Sequence, residues 1–384
     1  MRLFDPVSHE QLVDAPWDPV AIRAAIAAIV EETKTAYDDG WPVHPLDELD
    51  ESRRYRTIYL GGAGVIRALH DLQDRGLAEL RHDYAAYLAR PYEPEFPEYD
   101  HAHSLLMGEP GLRLVRHRVA PSAENLDRLA ELIDGNHDNP SRELLWGSPG
   151  TMLAAATLAT ATGEPRWDDP WRRSAAALEA VREPDSGVWL HELYGQRDRY
   201  LGPGHGFAGC VVAMTARPGF EHLEREAAAI ARRYAVEQDG AANWPPVAGG
   251  GLRSRPEGQI RVQWCHGAPG MVISLAPLAA GDAEHDRLMR AGGELTWRAG
   301  PLAKGAGLCH GTAGNGYALL ALLRRTGDEL WLTRARAFAT HAAAQVARDR
   351  AAHGRGRFSL WTGDLGVALY LADCLRGDGA FPLP

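Results

Sequence analysis

Seven Gly-x-x-Gly segments recur along this 384-residue chain and limit what it can fold into. They begin at Gly61, Gly108, Gly147, Gly206, Gly267, Gly311 and Gly363, at intervals of 39 to 61 residues. A single segment of this kind means little in a chain with 41 glycines, but seven, each followed by an apolar run, indicate internal repetition. Glycine suits a tight turn and the close approach of two backbone segments.

The stretches between these turns have the periodicity of amphipathic helices, and strand patterns are scarce. Asp18 suits the N-cap and Pro19 the first turn of a helix. Apolar residues then recur at helical spacing there and in two later stretches. The three sets are Ile22, Ile26, Ile29 and Val30; Leu126, Leu129, Leu132 and Ile133; and Leu223, Ala227, Ile230 and Tyr234.

Each interval between turns has room for two helices, so the pattern predicts seven helical hairpins. Such hairpins stack either as an open solenoid or as a closed ring. Closure is favoured because an open array leaves its terminal helices to be capped. We therefore predict an all-α fold, an α/α toroid of seven helical hairpins forming one domain over residues 1–384, with the turns gathered at one end.

Composition excludes several classes of function. The net charge of -10 argues against a nucleic-acid partner, which needs clustered Lys and Arg. No apolar run approaches 18 residues, so no membrane span is expected. The N-terminus has no apolar signal-peptide core, and four cysteines do not make a disulfide framework, so we expect a cytoplasmic protein. Cys210 and Cys374 have no adjacent histidine and are interpreted as buried apolar residues.

Two Cys-His pairs stand directly before glycine turns. Cys265-His266 and Cys309-His310 are 44 residues apart, and both precede a Gly-x-x-Gly segment. Two thiolates and one imidazole fill three positions of a tetrahedral zinc ion and leave the fourth open, as in catalytic sites. From spacing alone two interpretations stay open, a zinc site and a pair of small buried hydrophobic cysteines.

Five motifs together resemble one known family, the lanthionine synthetase C-like (LanC-like) proteins, along the whole chain. The motifs are WCHGAPG at Trp264–Gly270, KGAGLCHG at Lys304–Gly311, GHGFAG at Gly204–Gly209, NWPP at Asn243–Pro246 and FSLWTGDLG at Phe358–Gly366. Within the family, the chain looks most similar to the eukaryotic-type members that use glutathione.

The resemblance implies a seven-hairpin toroid with one zinc ion held by Cys265, Cys309 and His310. It also implies the addition of a thiol to dehydroalanine or dehydrobutyrine, which forms a thioether. His266 stands where the bacterial cyclases usually carry tyrosine, and Lys304 lies five residues before the second cysteine, as in glutathione-using members. Both features favour glutathione as the co-substrate of a dehydrated protein or peptide.

The resemblance also suggests roles for individual side chains. His205 is the predicted proton donor, and Arg261 is assigned to the enolate or to the substrate backbone. Glu143 either orients His205 or caps a helix. His266 acts as a second acid, orients the substrate or is structural. Lys304 binds a glutathione carboxylate or is simply an exposed lysine.

Alternative functions belong to other classes. One is a cyclase that forms intramolecular lanthionine rings in a precursor peptide, with a kinase or dehydratase as partner. Another is a binding or scaffold protein that uses zinc only for folding. Isoprenoid transferases are also α/α toroids with zinc, but no acidic cluster of their kind accompanies these cysteines.

Overall fold

The computed structural model describes residues 2–96, 103–253 and 258–383, and within them fourteen α-helices alternate between an inner and an outer layer. The outer helices are α1 (Pro19–Thr35), α3 (Ala85–Ala89), α5 (Ala123–Asp134), α7 (Asp168–Ala180), α9 (Glu221–Tyr234), α11 (Ala283–Ala299) and α13 (Glu329–His353). The inner helices are α2 (Gly62–Asp74), α4 (Glu109–Val119), α6 (Ser148–Thr162), α8 (Phe207–Thr215), α10 (Ala268–Leu275), α12 (Thr312–Thr326) and α14 (Asp364–Arg376).

The inner helices form a closed ring. Each contacts the next inner helix along the chain, and α14 contacts α2, which closes the circle. Most inner helices are buried along much of their length, above all α14, where every residue from Leu365 to Cys374 is buried. The predicted α/α toroid of seven hairpins is therefore confirmed, as a closed ring rather than an open solenoid.

The two layers begin their helices differently. Several outer helices have a side-chain N-cap; for example, the Asp18 carboxylate accepts a hydrogen bond from the Val20 N–H, as predicted. Every inner helix instead has the first glycine of its Gly-x-x-Gly segment as N-cap, with no side-chain cap. The glycine segments are thus the starts of the inner helices.

The second glycine of each segment lies against a backbone carbonyl. A Cβ at Gly270 would overlap the oxygen of Trp264, and a Cβ at Gly314 would overlap that of Leu308. The other five segments repeat this contact, always with the residue six positions earlier. The repeat therefore has a steric cause, because no residue with a side chain fits there.

The seven turns meet in sequence at one end of the ring, as expected from closure. Backbone or side-chain contacts join each turn to the next and the last to the first. They are Tyr59 N–H to the Leu106 carbonyl, Ser104 to the Leu145 carbonyl, Glu143 to His205, Gly204 against Cys265, Cys265 N–H to the Cys309 carbonyl, Leu308 N–H to the Trp361 carbonyl, and Trp361 stacked on Tyr59.

Aromatic side chains of the fifth and seventh turns pack against Phe381, close to the end of the chain. Phe381 stacks on Trp264 with ring centroids 5.0 Å apart and planes 7° apart, and it also contacts Trp361. Arg67 of α2 donates a hydrogen bond to the Leu383 carbonyl at 2.7 Å. Within the described ranges, no helix has both the length and the apolar character needed to cross a bilayer.

Two short antiparallel hairpins accompany the helices. β1 (His191–Leu193) pairs with β2 (Gln196–Asp198), and β3 (Val236–Gln238) pairs with β4 (Ala241–Asn243). Each pair is joined by a two-residue loop, because Leu193 lies opposite Gln196 and Gln238 lies opposite Ala241. β4 leads directly into the loop that carries Arg261 and Cys265.

The glycine contact makes a stability prediction. Gly64→Ala places a methyl group against the Ile58 carbonyl, so we expect it to lower stability by roughly 1 to 3 kcal/mol, the usual cost of overpacking. Gly251→Ala is the matched control, since nothing lies within 4 Å of the added Cβ. Thermal unfolding of both variants measures the difference. Equal midpoints would contradict the steric explanation.

Candidate metal centre

Cys265, Cys309 and His310 lie together at the end of the ring where the turns meet. Their ligand atoms, one Sγ from each cysteine and one ring nitrogen, all lie within 4.8 Å of one another. Both cysteines are buried, with 6% of each exposed, whereas His310 is only partly buried. These three side chains can hold a metal ion.

Backbone hydrogen bonds bring the two cysteine turns together. The Cys265 N–H donates to the Cys309 carbonyl at 3.3 Å. The N–H groups of Leu308 and Cys309 both donate to the Trp361 carbonyl, at 2.9 and 3.0 Å. Contacts between the fifth, sixth and seventh turns therefore hold Cys265 and Cys309 together, although the two residues are 44 positions apart in sequence.

A hydrogen bond joins the two buried thiols. The hydrogen bond from the Cys309 thiol lowers the pKa of Cys265, and the same hydrogen bond raises the pKa of Cys309. Gln263 adds a hydrogen bond from Nε2 to the Cys265 sulfur at 2.9 Å. The Cys265 sulfur therefore has hydrogen-bond partners in both Cys309 and Gln263.

His205 and Glu143 form a hydrogen-bonded pair beside this cluster. His205 Nδ1 lies 3.0 Å from Glu143 Oε2, and the His205 side chain is 21% exposed while Glu143 is fully buried. Glu143 also accepts hydrogen bonds from the N–H groups of Leu145 and Trp146. Glu143 therefore holds His205 and the turn before α6, but it does not cap that helix, whose N-cap is Gly147 with no side-chain hydrogen bond.

The contact with Glu143 also affects the pKa of His205. Burial acts to lower the pKa of His205, but the hydrogen bond and the charge of Glu143 outweigh it, so the pKa is raised. A histidine paired with a buried carboxylate keeps its proton more readily. His205 is thus suited to hold a proton at this end of the ring.

Arg261 lies near both neighbouring histidines. Its positive charge acts to lower the pKa of His205 and of His266. The backbone around it is held by Asn243, whose side chain donates to the Arg261 carbonyl at 3.2 Å and accepts from the Ala268 N–H at 2.8 Å. The NWPP motif therefore fixes the loop between Arg261 and the first turn of α10.

His266 is buried between other rings rather than joined to the sulfur cluster. Its ring centroid lies 5.6 Å from that of His205 and 6.2 Å from that of Tyr200. Burial lowers the pKa of His266 to about 4. The imidazole is therefore neutral near pH 7, which does not suit an acid but is compatible with an orienting or structural role.

Lys304 is exposed and lies on the segment that leads into the sixth turn. Its positive charge acts to lower the pKa of the Cys309 thiol, so the ammonium group is close enough to interact electrostatically with the cluster. The predicted buried, apolar character of Cys210 and Cys374 is also confirmed, since both are 0% exposed free thiols.

Sequence reasoning missed Tyr59, whose hydroxyl hydrogen-bonds to the Cys309 sulfur. Burial and the nearby Cys309 raise the pKa of Tyr59, and its ring stacks on Trp361 at 5.6 Å. A signal was available in the repeat. Tyr59, Cys265, Cys309 and Trp361 all lie two residues before the first glycine of their turns. Alignment of the seven turns would have placed Tyr59 in the column of the cysteines.

The fold and the site define a closed toroid of helical hairpins with a Cys-Cys-His cluster at one end. The chain matches the family described as "Lanthionine synthetase C-like protein" over residues 54–382, and it belongs to that family. The structure of nisin cyclase is similar, with a TM-score of 0.59, 17% identity, and coverage of 92% of this chain and 93% of that one. That likeness supports the fold.

Two relatives agree with the resemblance to eukaryotic-type members. "Glutathione S-transferase LANCL1" from Danio rerio is 30% identical over 285 residues, which cover 69% of this chain and 67% of the relative. "LanC-like protein GCL1" from Arabidopsis thaliana is 31% identical over 211 residues, covering 52% of this chain and 47% of the relative. The chain thus spans about two thirds of the first relative and about half of the second.

The cluster predicts how metal content depends on each ligand. Cys265→Ala, Cys309→Ala and His310→Ala should each weaken metal binding by more than the roughly 10- to 100-fold that loss of an outer-shell partner costs. Cys374→Ala, which also removes a buried thiol, should leave metal content unchanged. Elemental analysis by mass spectrometry after dialysis measures the bound metal. Full metal content in both Cys265→Ala and Cys309→Ala would contradict the assignment.

Proposed function

We propose that the protein is a zinc-dependent enzyme that adds glutathione to dehydroalanine or dehydrobutyrine residues of a protein or peptide. The observation that carries this proposal is the convergence of Cys265, Cys309 and His310 within 4.8 Å, beside a histidine that is paired with a carboxylate. The name of the Danio rerio relative, a glutathione S-transferase, supports glutathione as the thiol. We further propose that residues 1–384 act as one domain.

The donor set fits zinc. Cysteine sulfur and histidine nitrogen are common zinc ligands, and three protein ligands leave one position for a substrate. Cys265 and Cys309 would bind as thiolates, and His310 would complete the protein's share of the coordination sphere. When bound, zinc supplies a Lewis acid that lowers the pKa of an incoming thiol and so increases its nucleophilic fraction.

The proposed reaction forms one carbon–sulfur bond. The thiol sulfur attacks the β-carbon of the dehydro residue, and the electrons of the carbon–carbon double bond move to the carbonyl oxygen. Arg261 would stabilise the resulting enolate, because a positive charge near developing negative charge lowers the barrier. The enolate then takes a proton at the α-carbon, which completes the thioether.

His205 would deliver this proton. Its Nδ1 is engaged by Glu143, so Nε2 is the nitrogen left for the substrate. Glu143 holds the ring in one orientation and favours the protonated form. The proton lost by the thiol restores His205, so each turnover adds the thiol across the double bond with no net gain or loss of protons.

The remaining assignments complete the proposal. Lys304 would attract a glutathione carboxylate as a point charge, and His266 would orient the substrate as a neutral ring. A kinase or dehydratase would supply the dehydrated residue. A reducing, cytoplasmic setting suits an enzyme whose thiols must stay reduced.

Mass spectrometry tests the reaction directly. Zinc-loaded protein is incubated with glutathione and a peptide that contains both dehydroalanine and cysteine, and we expect a product heavier by one glutathione. A peptide with alanine in place of dehydroalanine should not react. His205→Gln should slow the reaction by roughly 10²- to 10⁴-fold, the usual contribution of a general acid.

Other products would overturn the proposal in different ways. A cyclised peptide of unchanged mass would identify a lanthionine cyclase instead. No product from protein with intact zinc content would identify a binding or scaffold protein.

Lys304 makes a separate prediction about thiol selectivity. Lys304→Ala should raise KM for glutathione by about two- to fivefold, since exposed ion pairs contribute modest energies. The same variant should leave the reaction with 2-mercaptoethanol unchanged, because that thiol has no carboxylate. Lys304→Arg keeps the charge and should retain most of the glutathione affinity. An equal change with both thiols would contradict a role in binding glutathione.

A further inference from the structure

Tyr194 occupies a backbone conformation that its residue type avoids. It has φ +50° and is followed by Gly195 at φ +72°, and these two residues form the loop between β1 and β2. Two-residue hairpin loops with both φ angles positive strongly prefer Asn-Gly or Asp-Gly. A bulky aromatic residue in this conformation is an outlier, and such strain collects at functional sites.

The second hairpin of the protein provides an internal comparison. The loop between β3 and β4 has the same conformation, with Asp239 at φ +53° and Gly240 at φ +73°. There the chain uses a residue that suits the turn. The strain in the first hairpin is therefore not a general cost of such hairpins in this fold.

The Tyr194 side chain lies over the proposed proton donor. Its ring meets that of His205 edge to face with centroids 6.3 Å apart, and it meets Trp146 at 6.4 Å. The Trp146 Nε1–H donates a hydrogen bond to the Tyr194 hydroxyl at 3.1 Å, which holds the ring in place.

Packing alone does not account for this tyrosine. Despite its contacts, Tyr194 is 56% exposed, one of the few large apolar residues with so much surface in the described residues. An aromatic ring in the core of the fold gains stability from burial, but a ring this exposed gains little. A strained, immobilised and exposed aromatic residue beside a reacting group is instead suited to meet a ligand.

We propose that Tyr194 is a substrate-contacting residue whose exposed ring packs against the dehydroamino-acid segment of the peptide while it covers His205. This inference rests on the proposed function, and it identifies Tyr194 as part of the surface that binds the peptide substrate. The chemistry is complementary, because a dehydroalanine residue with its flanking amides is planar and conjugated. Aromatic faces pack well against flat groups of this kind.

The test separates strain from function with a variant that suits the turn better than tyrosine does. Tyr194→Asn supplies the preferred turn residue, so its thermal midpoint should equal or exceed that of the wild type. Its KM for a dehydroalanine peptide should rise by about 2- to 10-fold, the loss of one aromatic contact, while KM for glutathione stays unchanged. Tyr194→Phe keeps the ring and should keep the peptide KM within about twofold of the wild type.

Asp239→Tyr is the matched control. It introduces the same strain in the loop of the second hairpin, at Asp239, so it should lower the thermal midpoint and leave both KM values unchanged. An unchanged peptide KM in Tyr194→Asn would overturn the inference. A lower midpoint in Tyr194→Asn, with both KM values altered, would also overturn it, because that result identifies a structural residue.

Failure of the proposed function gives a different result. If the wild type forms no thioether, the binding of a fluorescently labelled dehydroalanine peptide is measured by anisotropy without thiol. Affinity that falls in Tyr194→Asn but not in Asp239→Tyr supports the contact even then. Affinity that is equal in the wild type and Tyr194→Asn, or absent in both, rejects it.

Discussion

In each of the seven segments, the backbone carbonyl of the residue six positions earlier lies against the second glycine. This contact leaves no space for a side chain, and the rest of the structure depends on it. Because no side chain fits, every inner helix leaves its turn in the same way. The residues just before each turn therefore occupy equivalent places around one end of the ring. When the seven turns are aligned, two positions carry the side chains of the candidate site. The position two residues before the first glycine holds Tyr59, Cys265 and Cys309, and the next position holds His205, His266 and His310.

Ring closure makes the Cys265, Cys309 and His310 cluster depend on the first and last turns of the ring. The last turn supplies the Trp361 carbonyl, which accepts hydrogen bonds from Leu308 and Cys309. The first turn supplies Tyr59, which stacks on Trp361 and hydrogen-bonds to Cys309. A change that opens the contact between α2 and α14 would therefore disturb the sulfur cluster as well as the core.

Glu143 shows how the scaffold and the chemistry share one group. A buried carboxylate is costly unless hydrogen bonds and charge compensate it. Here the N–H groups of Leu145 and Trp146 and the His205 ring provide that compensation. The same contacts shape the turn before α6 and orient the proposed proton donor. The Trp146 Nε1–H also donates to the Tyr194 hydroxyl, so the turn holds the ring that meets His205 edge to face.

The sequence alone determined the number of hairpins, the starts of the inner helices and the two Cys-His pairs, because glycine sterics and helical periodicity are local properties. It did not select between His266 and His310 as the ligand, since both follow a cysteine in the same way; only the family resemblance favoured His310. Tertiary structure decided that His310 joins the sulfurs while His266 packs beside His205. It also placed Tyr59 and Tyr194 at the site, because neighbours across a closed ring depend on how distant turns meet and not on their spacing along the chain.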